Sequence, residues 1–465
     1  MRRSVGLLMC GALVGGVATV SLLHHLSSGA IGPAFADPQP PDARDRMGAR
    51  PEVYSLLSLF GDVLERVRAD YVDPVEDRVL VANALDGMLG GLDPHSGYLD
   101  RLAYKELQLE TGGHFGGIGI EIEQNGAALR VVHIMQGTPA AAAGIEAGDQ
   151  ILAIDGRAVN GAKINTLLDQ MRGPVGSVLD LTIRRGAAGR AINVTVHRAT
   201  ISVQIVWSRL DGKIGYIKLA SFDEQADTAV RQAIRELSQR ANSELVGFIL
   251  DLRDNPGGLL EQAVAVASDF LDGGAIVFVR SRSPEDSERW DAKPGGDLTR
   301  GKPLAVLINA GSASASEIVA GALQDRDRAI LVGTRSFGKG SVQDIIPLDD
   351  GSAIRLTVGR YYTPSGRSIQ GLGIVPDVVV HARASDQASV EPEREADLNH
   401  IIANRGGTSL PALPRDNLPR EARLVPERPP AGFAAYDPAR PDTDFQLQQA
   451  ERLLRAMAIA RARHQ

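Results

Sequence analysis

From Ile201 to about residue 380 the chain alternates apolar strands with amphipathic helices, and this alternation narrows what it can fold into. Lys213–Leu219 reads as a strand and Asp223–Arg240 as a helix. The apolar run Val246–Leu252 reads as a strand, Leu259–Leu271 as a helix, Leu304–Asn309 as a strand and Ser316–Gln324 as a helix. Strands joined through helices lie parallel, so the pattern predicts an α/β core with helices packed on a mainly parallel sheet. Two of the strands run into small-residue loops, Asn255-Pro256-Gly257-Gly258 and Asn309-Ala310-Gly311-Ser312. Functional loops of such sheets gather at the carboxyl ends of the strands.

The second of these loops opens a cluster of alternating serines, Gly311-Ser312-Ala313-Ser314-Ala315-Ser316-Glu317-Ile318, and Phe337-Gly338-Lys339-Gly340-Ser341-Val342-Gln343 follows the next helix. A hydroxyl nucleophile needs a base to take its proton. No histidine lies near the serines in sequence, and Lys339 does. To act near neutral pH, a lysine must lose roughly three units from about 10.4, or about 4 kcal/mol, which only a dry pocket supplies. Gln343, four residues on, is neutral and could orient the amine without raising its pKa again. Ser314-x-x-Glu317 before an apolar run is also a capping-box pattern. The two readings are compatible, because a helix N-terminus offers free N–H groups and the positive end of a dipole to an oxyanion. Gly257-Gly258 after Pro256 permits close backbone approach and is a second source of such donors. Ser336-Phe337-Gly338-Lys339 matches the S-x-x-K pattern of penicillin-recognising enzymes. Gly338 and Gly340 discourage the helix that pattern needs, and its companion motifs are absent.

Composition limits the partners. The net charge of −7 leaves no basic surplus to neutralise phosphates, and 4% aromatic residues leave few stacking platforms, so nucleic acid is excluded as a partner. The single cysteine, Cys10, lies in an apolar run from Val5 to Leu23 behind Met1-Arg2-Arg3. With Ala34-Phe35-Ala36 before Asp37, this reads as a signal peptide over residues 1–36. The alternative is an uncleaved anchor, since roughly 19 apolar residues can just span a bilayer. Both place the protein outside the cytoplasm: periplasmic or exported, or held at the inner membrane. After cleavage no thiol remains, which removes disulfides, cysteine nucleophiles and cysteine-ligated zinc.

Residues 37–50 are Pro- and Asp-rich and read as disordered. Helical spacing over Val53–Arg68 and Val79–Leu89 gives two helices suited to core or dimer packing. Between 111 and 200, glycines punctuate the β-branched runs Gly119–Glu123, Leu129–Ile134, Gln150–Ile154, Val178–Arg184 and Ala191–His197. Helical candidates Ala140–Gly144 and Ile164–Met171 lie between them, which describes a compact separate module. Residues 384–440 read as a flexible connector, and Asp444–Ala462 as a final amphipathic helix whose stripe faces another protomer or the Val53–Arg68 helix.

At these motifs the chain resembles the carboxyl-terminal processing peptidases, or tail-specific proteases, of the S41 family. Matching stretches include Tyr71-Val72-Asp73-Pro74, Leu92-Asp93-Pro94-His95-Ser96, Phe115-Gly116-Gly117-Ile118-Gly119 and Asp251 to Gly258. They continue through Gly311 to Asp325, Ser336 to Gln343 and Tyr362 to Gln370. The resemblance implies a multi-domain α/β protein with a crotonase-like mixed α/β peptidase core, an inserted PDZ domain and helical terminal segments. The expected divisions are 1–36, 37–110 (helical), 111–200 (PDZ), 201–380 (peptidase core) and 381–465 (linker and helix).

By the family motif, Ser314 is the nucleophile, Lys339 the general base and Gln343 the residue that orients it. The oxyanion donors map to the N–H of Ala315 and of Gly257 or Gly258, with the choice between the glycines open. Gly117-Ile118-Gly119-Ile120 corresponds to the PDZ carboxylate-binding loop and strand, and Arg172 is a candidate for coupling tail occupancy to movement of the module. No metal or organic cofactor is expected. Implied partners are proteins with unstructured apolar C-termini, with an adaptor and a homo-oligomer as further candidates. The rival functions are a non-enzymatic PDZ adaptor or chaperone on a protease scaffold, and an acyl-transfer enzyme of cell-wall metabolism.

Overall fold

The apolar run around Ile249 forms the strand Gly247–Asp251, an interior strand of a six-stranded sheet. The sheet order is Val206–Asp211, Ile214–Leu219, Gly247–Asp251, Leu304–Ile308, Ile330–Gly333 and Val378–Val379. The first pair is antiparallel and all the others are parallel, as the alternating pattern requires. Described in this computed structural model are residues 51–464, apart from 126–127, 163, 187–188, 242–243, 384–392, 405–417 and 438–439. The signal-peptide reading, Cys10 and the Pro-rich segment 37–50 lie outside the described residues. Among the described residues no helix is long and apolar enough to cross a membrane.

Successive side chains of a strand point to opposite faces, and both faces of this sheet are buried. Leu219, Phe248, Leu250, Val306 and Ile308 pack under the helices Ala226–Arg240, Leu260–Ser268 and Ala315–Asp325. Ile214, Tyr216, Ile249, Ala305 and Leu307 face the other way and meet Phe445, Leu447, Ala450, Leu453 and Leu454 of the helix Phe445–His464. This corrects the expectation for the last helix. Its apolar stripe closes the second face of its own sheet, because that face would otherwise leave a layer of Ile and Leu in water. The start of the helix is fixed by Arg253, whose buried guanidinium bonds Asp251, Asp444 and Gln446.

A second, antiparallel sheet was not read from the sequence. It pairs Gly97–Leu99, Ala353–Tyr362, Gly274–Ser281 and Glu288–Ala292 in that order, with Ser341–Pro347 also on Ala353–Tyr362. The segment read as a flexible connector is also corrected in its described parts. Glu395 is fully buried, and Leu418 and Ala422 join the cluster beneath the last helix.

The 111–200 module forms its own sheet, in which Ile120–Asn125 is an edge strand, and its own core around Leu129, Ile151, Leu167 and Leu181. Its entry and exit strands, His114–Gly117 and Ala199–Ser202, pair as a two-stranded ribbon. The described residues divide into two units, one ending at Pro74 and the other beginning at Val75. The described part of the first is the helix Pro51–Asp70, with Leu56, Leu57 and Phe60 exposed.

Leu454 is completely buried under the sheet. Leu454→Ala should lower the unfolding free energy by about 2–5 kcal/mol in urea titration; a change below 0.5 kcal/mol, on the order of a surface substitution, would return the helix to an assembly role.

Candidate active site

The three serines of the cluster have different fates. Ser312 Oγ donates to the Leu252 carbonyl at 2.8 Å, and Ser316 Oγ donates to the Asn255 carbonyl at 2.9 Å. Both hydroxyls stitch the two strand-end loops together and are fully buried. Ser314 stands at the N-terminus of the helix Ala315–Asp325 with φ of 52°, a left-handed conformation that costs a non-glycine residue energy. Strain of this kind persists only where the surroundings enforce it. Here the Ser314 N–H is held by Glu317 Oε2 at 2.9 Å.

The glycine loop lies directly against Ser314. A Cβ on Gly257, at φ of 105°, would come within 2.8 Å of Ser314 Cβ and 3.0 Å of the Ala315 nitrogen. A Cβ on Gly258, at φ of 143°, would strike the Phe222 carbonyl oxygen at 2.3 Å. No other residue type fits at either position. The Gly257 N–H donates to Asn255 Oδ1 at 2.9 Å, while Asn255 Nδ2 donates to the Leu219 carbonyl. Among the described residues, the N–H groups of Gly258 and Ala315 meet no acceptor.

Lys339 is brought to Ser314 by one carboxylate. Glu317 Oε2 accepts from the Lys339 N–H at 2.9 Å as well as from Ser314. Its Oε1 accepts from the Gly338 N–H at 2.7 Å and from Ser336 Oγ at 2.5 Å. Complete burial pushes the Glu317 carboxyl up to about 8, while Ser336 and the N–H groups of Ser314, Gly338 and Lys339 pull the other way. The Lys339 amine titrates below the ordinary lysine range, first because burial penalises its charge and second because the Arg355 guanidinium opposes it. Glu395, Glu317 and Asp93 act in the opposite direction.

Gln343 lies where the strand Ser341–Pro347 bulges against Ala353–Tyr362. Its Nε2 donates to Ser341 Oγ at 2.8 Å and to Thr357 Oγ1 at 3.2 Å. Thr357 Oγ1 in turn donates to Asp93 Oδ1 at 3.1 Å. The Asp93-Pro94-His95-Ser96 turn is therefore part of the site's surround, held by the Ser96 hydroxyl and by both the hydroxyl and the N–H of Thr357.

In the 111–200 module, Gly119 has φ of 78° and lies so close to Thr138 that a Cβ would meet its Cβ at 2.4 Å. Ile118 is buried in the module's core, and Ile120 begins the edge strand. Arg172 does not point along that strand. Its guanidinium lies over the Phe115 ring, 4.9 Å from the centroid, and the adjacent Gly173 N–H donates to the Gly116 carbonyl.

A model of peptidase family S41 matches residues 213–380, and one of PDZ domains matches residues 116–196. A carboxy-terminal-processing protease of Bartonella bacilliformis is 45% identical over 403 residues, covering 86% of this chain and 89% of its own. The chain belongs to peptidase family S41. It is a serine-type, carboxy-terminal processing peptidase with a PDZ domain, the module that binds peptide C-termini of protein substrates. The carboxy-terminal processing protease CtpA of Bacillus subtilis is 35% identical, covering 76% of this chain and 74% of its own. A solved photosystem II D1 C-terminal processing protease aligns over 69% of this chain and 92% of its own, with 31% identity and a TM-score of 0.40.

Reading the sequence assigned Glu317 a capping role and missed the larger one. In this S41 peptidase its carboxylate joins the serine helix to the lysine loop, a contact across 22 residues. A fully apolar helix face interrupted by one acid was the available signal: Ile318, Val319, Ala320 and Leu323 surround it in sequence and all are buried. Glu317→Ala should strand three buried N–H groups and cost about 3 kcal/mol or more in urea unfolding. Peptidase activity should fall with it even in the fraction that remains folded.

Proposed function

We propose that this S41 peptidase is exported by its residues 1–36 and cleaves proteins with unstructured, apolar C-termini through a Ser314–Lys339 dyad. The observation that carries the reading is the shared acceptor: one oxygen, Glu317 Oε2, holds the backbone of both residues. Ser314 Oγ attacks the scissile carbonyl while the neutral Lys339 amine takes its proton. The tetrahedral oxyanion falls between the N–H groups of Ala315 and Gly258, two donors beside Ser314 that meet no acceptor among the described residues. The Gly257 N–H is engaged by Asn255, so Gly257 serves by its lack of a side chain. Gln343 offers its remaining amide oxygen to the lysine amine, since its nitrogen is held by two hydroxyls. Collapse of the intermediate expels the amine of the departing peptide, protonated by Lys339, and water hydrolyses the acyl-enzyme.

Substrate selection belongs to the PDZ domain. Consecutive N–H groups of the Gly117-Ile118-Gly119-Ile120 stretch receive the terminal carboxylate, and the tail adds to the Ile120–Asn125 edge strand. Arg172, stacked on Phe115 of the entry strand, links the module's helix to the ribbon that leads to the core. It is suited to relay tail occupancy. Arg172→Ala should slow cleavage of a folded, tailed protein far more than it weakens binding of the isolated tail peptide, measured by calorimetry. Equal losses in the two assays would make it a binding contact alone.

The dyad is tested at the lysine. Ser314→Ala and Lys339→Ala should each abolish cleavage of a tailed protein, and Lys339→Arg should fail too, because guanidinium stays charged. The base must be neutral, and its pKa is lowered by burial. The rate parameter kcat/KM should therefore rise with pH along one limb and reach its plateau below the ordinary lysine range. Substantial cleavage by Lys339→Arg, with a flat pH profile in the wild type, would overturn the dyad.

A further inference from the structure

Glu317 holds the lysine loop from the serine helix; a second fully buried acid holds it from the other side. Glu395 comes from the 393–404 segment, beyond the stretch that matches the S41 family model. Its backbone N–H donates to the Phe337 carbonyl at 3.2 Å. Its Oε1 accepts from Gln370 Nε2 at 2.8 Å, and Gln370 Oε1 accepts from the Gly340 N–H at 2.9 Å. The two residues thus grip Phe337 and Gly340, on either side of Lys339. His95 Nε2 lies 3.0 and 2.8 Å from the two Glu395 oxygens. Asn404 closes the arrangement by donating to the Gln370 carbonyl at 2.9 Å.

The geometry points to Glu395 as a positioning residue for Lys339: it fixes the 337–340 loop through Gln370 and Phe337, and its carboxylate, hydrogen-bonded to His95, acts on the lysine amine. A buried carboxylate needs a reason, since apolar packing would serve a purely structural segment better. The charged and titratable groups around Lys339 are Arg355 on the strand Ala353–Tyr362, Glu317 on the serine helix, Asp93 and His95 on the 93–96 turn, and Glu395 itself. Arg355 also donates to the His95 carbonyl at 2.7 Å, so the turn, the strand and the 393–404 segment meet one another beside the lysine loop. Glu395 is the strongest of the acids acting on Lys339, ahead of Glu317 and Asp93. It favours the protonated amine, which is the form that protonates the departing peptide.

The inference rests on Lys339 as the base, and the experiment separates the two. Glu395→Gln keeps an acceptor for Gln370 and removes the charge. Without a nearby anion the ammonium is less favoured, so the acid limb of kcat/KM should move to lower pH, by about one unit. The midpoint of thermal unfolding should stay close to that of the wild type. Glu395→Ala, which also removes the grip on Gln370, should lower kcat on the order of tenfold or more with KM little changed. An acid limb that stays in place in Glu395→Gln overturns the proposal, whether activity is kept or reduced, since loss without movement marks a structural role. A wild-type profile with no acid limb overturns the base assignment of Lys339 instead.

Discussion

The Glu317 carboxylate is the interaction on which this active site depends. It lies on the first turn of the serine helix and accepts four hydrogen bonds, from Ser314, Ser336, Gly338 and Lys339. A helix start and a glycine-rich loop would otherwise have no common reference. Buried N–H groups must find acceptors, and here three find the same side chain. The result is that the backbones of Ser314 and Lys339 are fixed to one another by a single acid.

The arrangement reconciles two demands. A buried lysine is pushed toward its neutral form by a dry pocket, and a dry pocket penalises every unpaired polar group. The strand-end loops meet this by bonding one another: Asn309 Oδ1 accepts from Asp254 and Gly311, Ser312 bonds Leu252, and Ser316 bonds Asn255. The N–H groups of Gly258 and Ala315, beside the strained Ser314, are left without an acceptor among the described residues. Burial therefore lowers the Lys339 pKa in the same pocket that leaves these two donors unengaged.

The substrate-selecting module is attached by the pairing of His114–Gly117 with Ala199–Ser202. Contacts continue from this ribbon into the core: the Glu224 N–H donates to the Thr111 carbonyl and the Val203 N–H to the Gly113 carbonyl. Gly113 leaves no room for a side chain, since a Cβ would overlap the Asp223 carboxylate at 2.1 Å. The PDZ sheet and the parallel sheet are thus separate and are joined through this ribbon.

Much of this protein was fixed locally and could be read without coordinates. Apolar runs such as Val246–Leu252 and helices such as Ala226–Arg240 follow from residue periodicity, and the loops at their ends located Ser314 and its glycines. The resemblance of the motifs identified the family. Tertiary structure decided what depends on separation in the chain. Phe445–His464 carries an apolar stripe in any context, and only the exposed face of the parallel sheet determined what would cover it. The antiparallel sheet escaped because its strand Ala353–Tyr362 mixes arginines and glycine with apolar residues, and takes its order from pairing with three segments, two of them distant in the chain. Glu395 gave no sign of its place: in sequence it is one acid in a charged stretch, and only folding brings it to His95, a residue 300 positions away. Periodicity reports which side of an element is buried, whereas the partner of a buried charge is set by the whole fold.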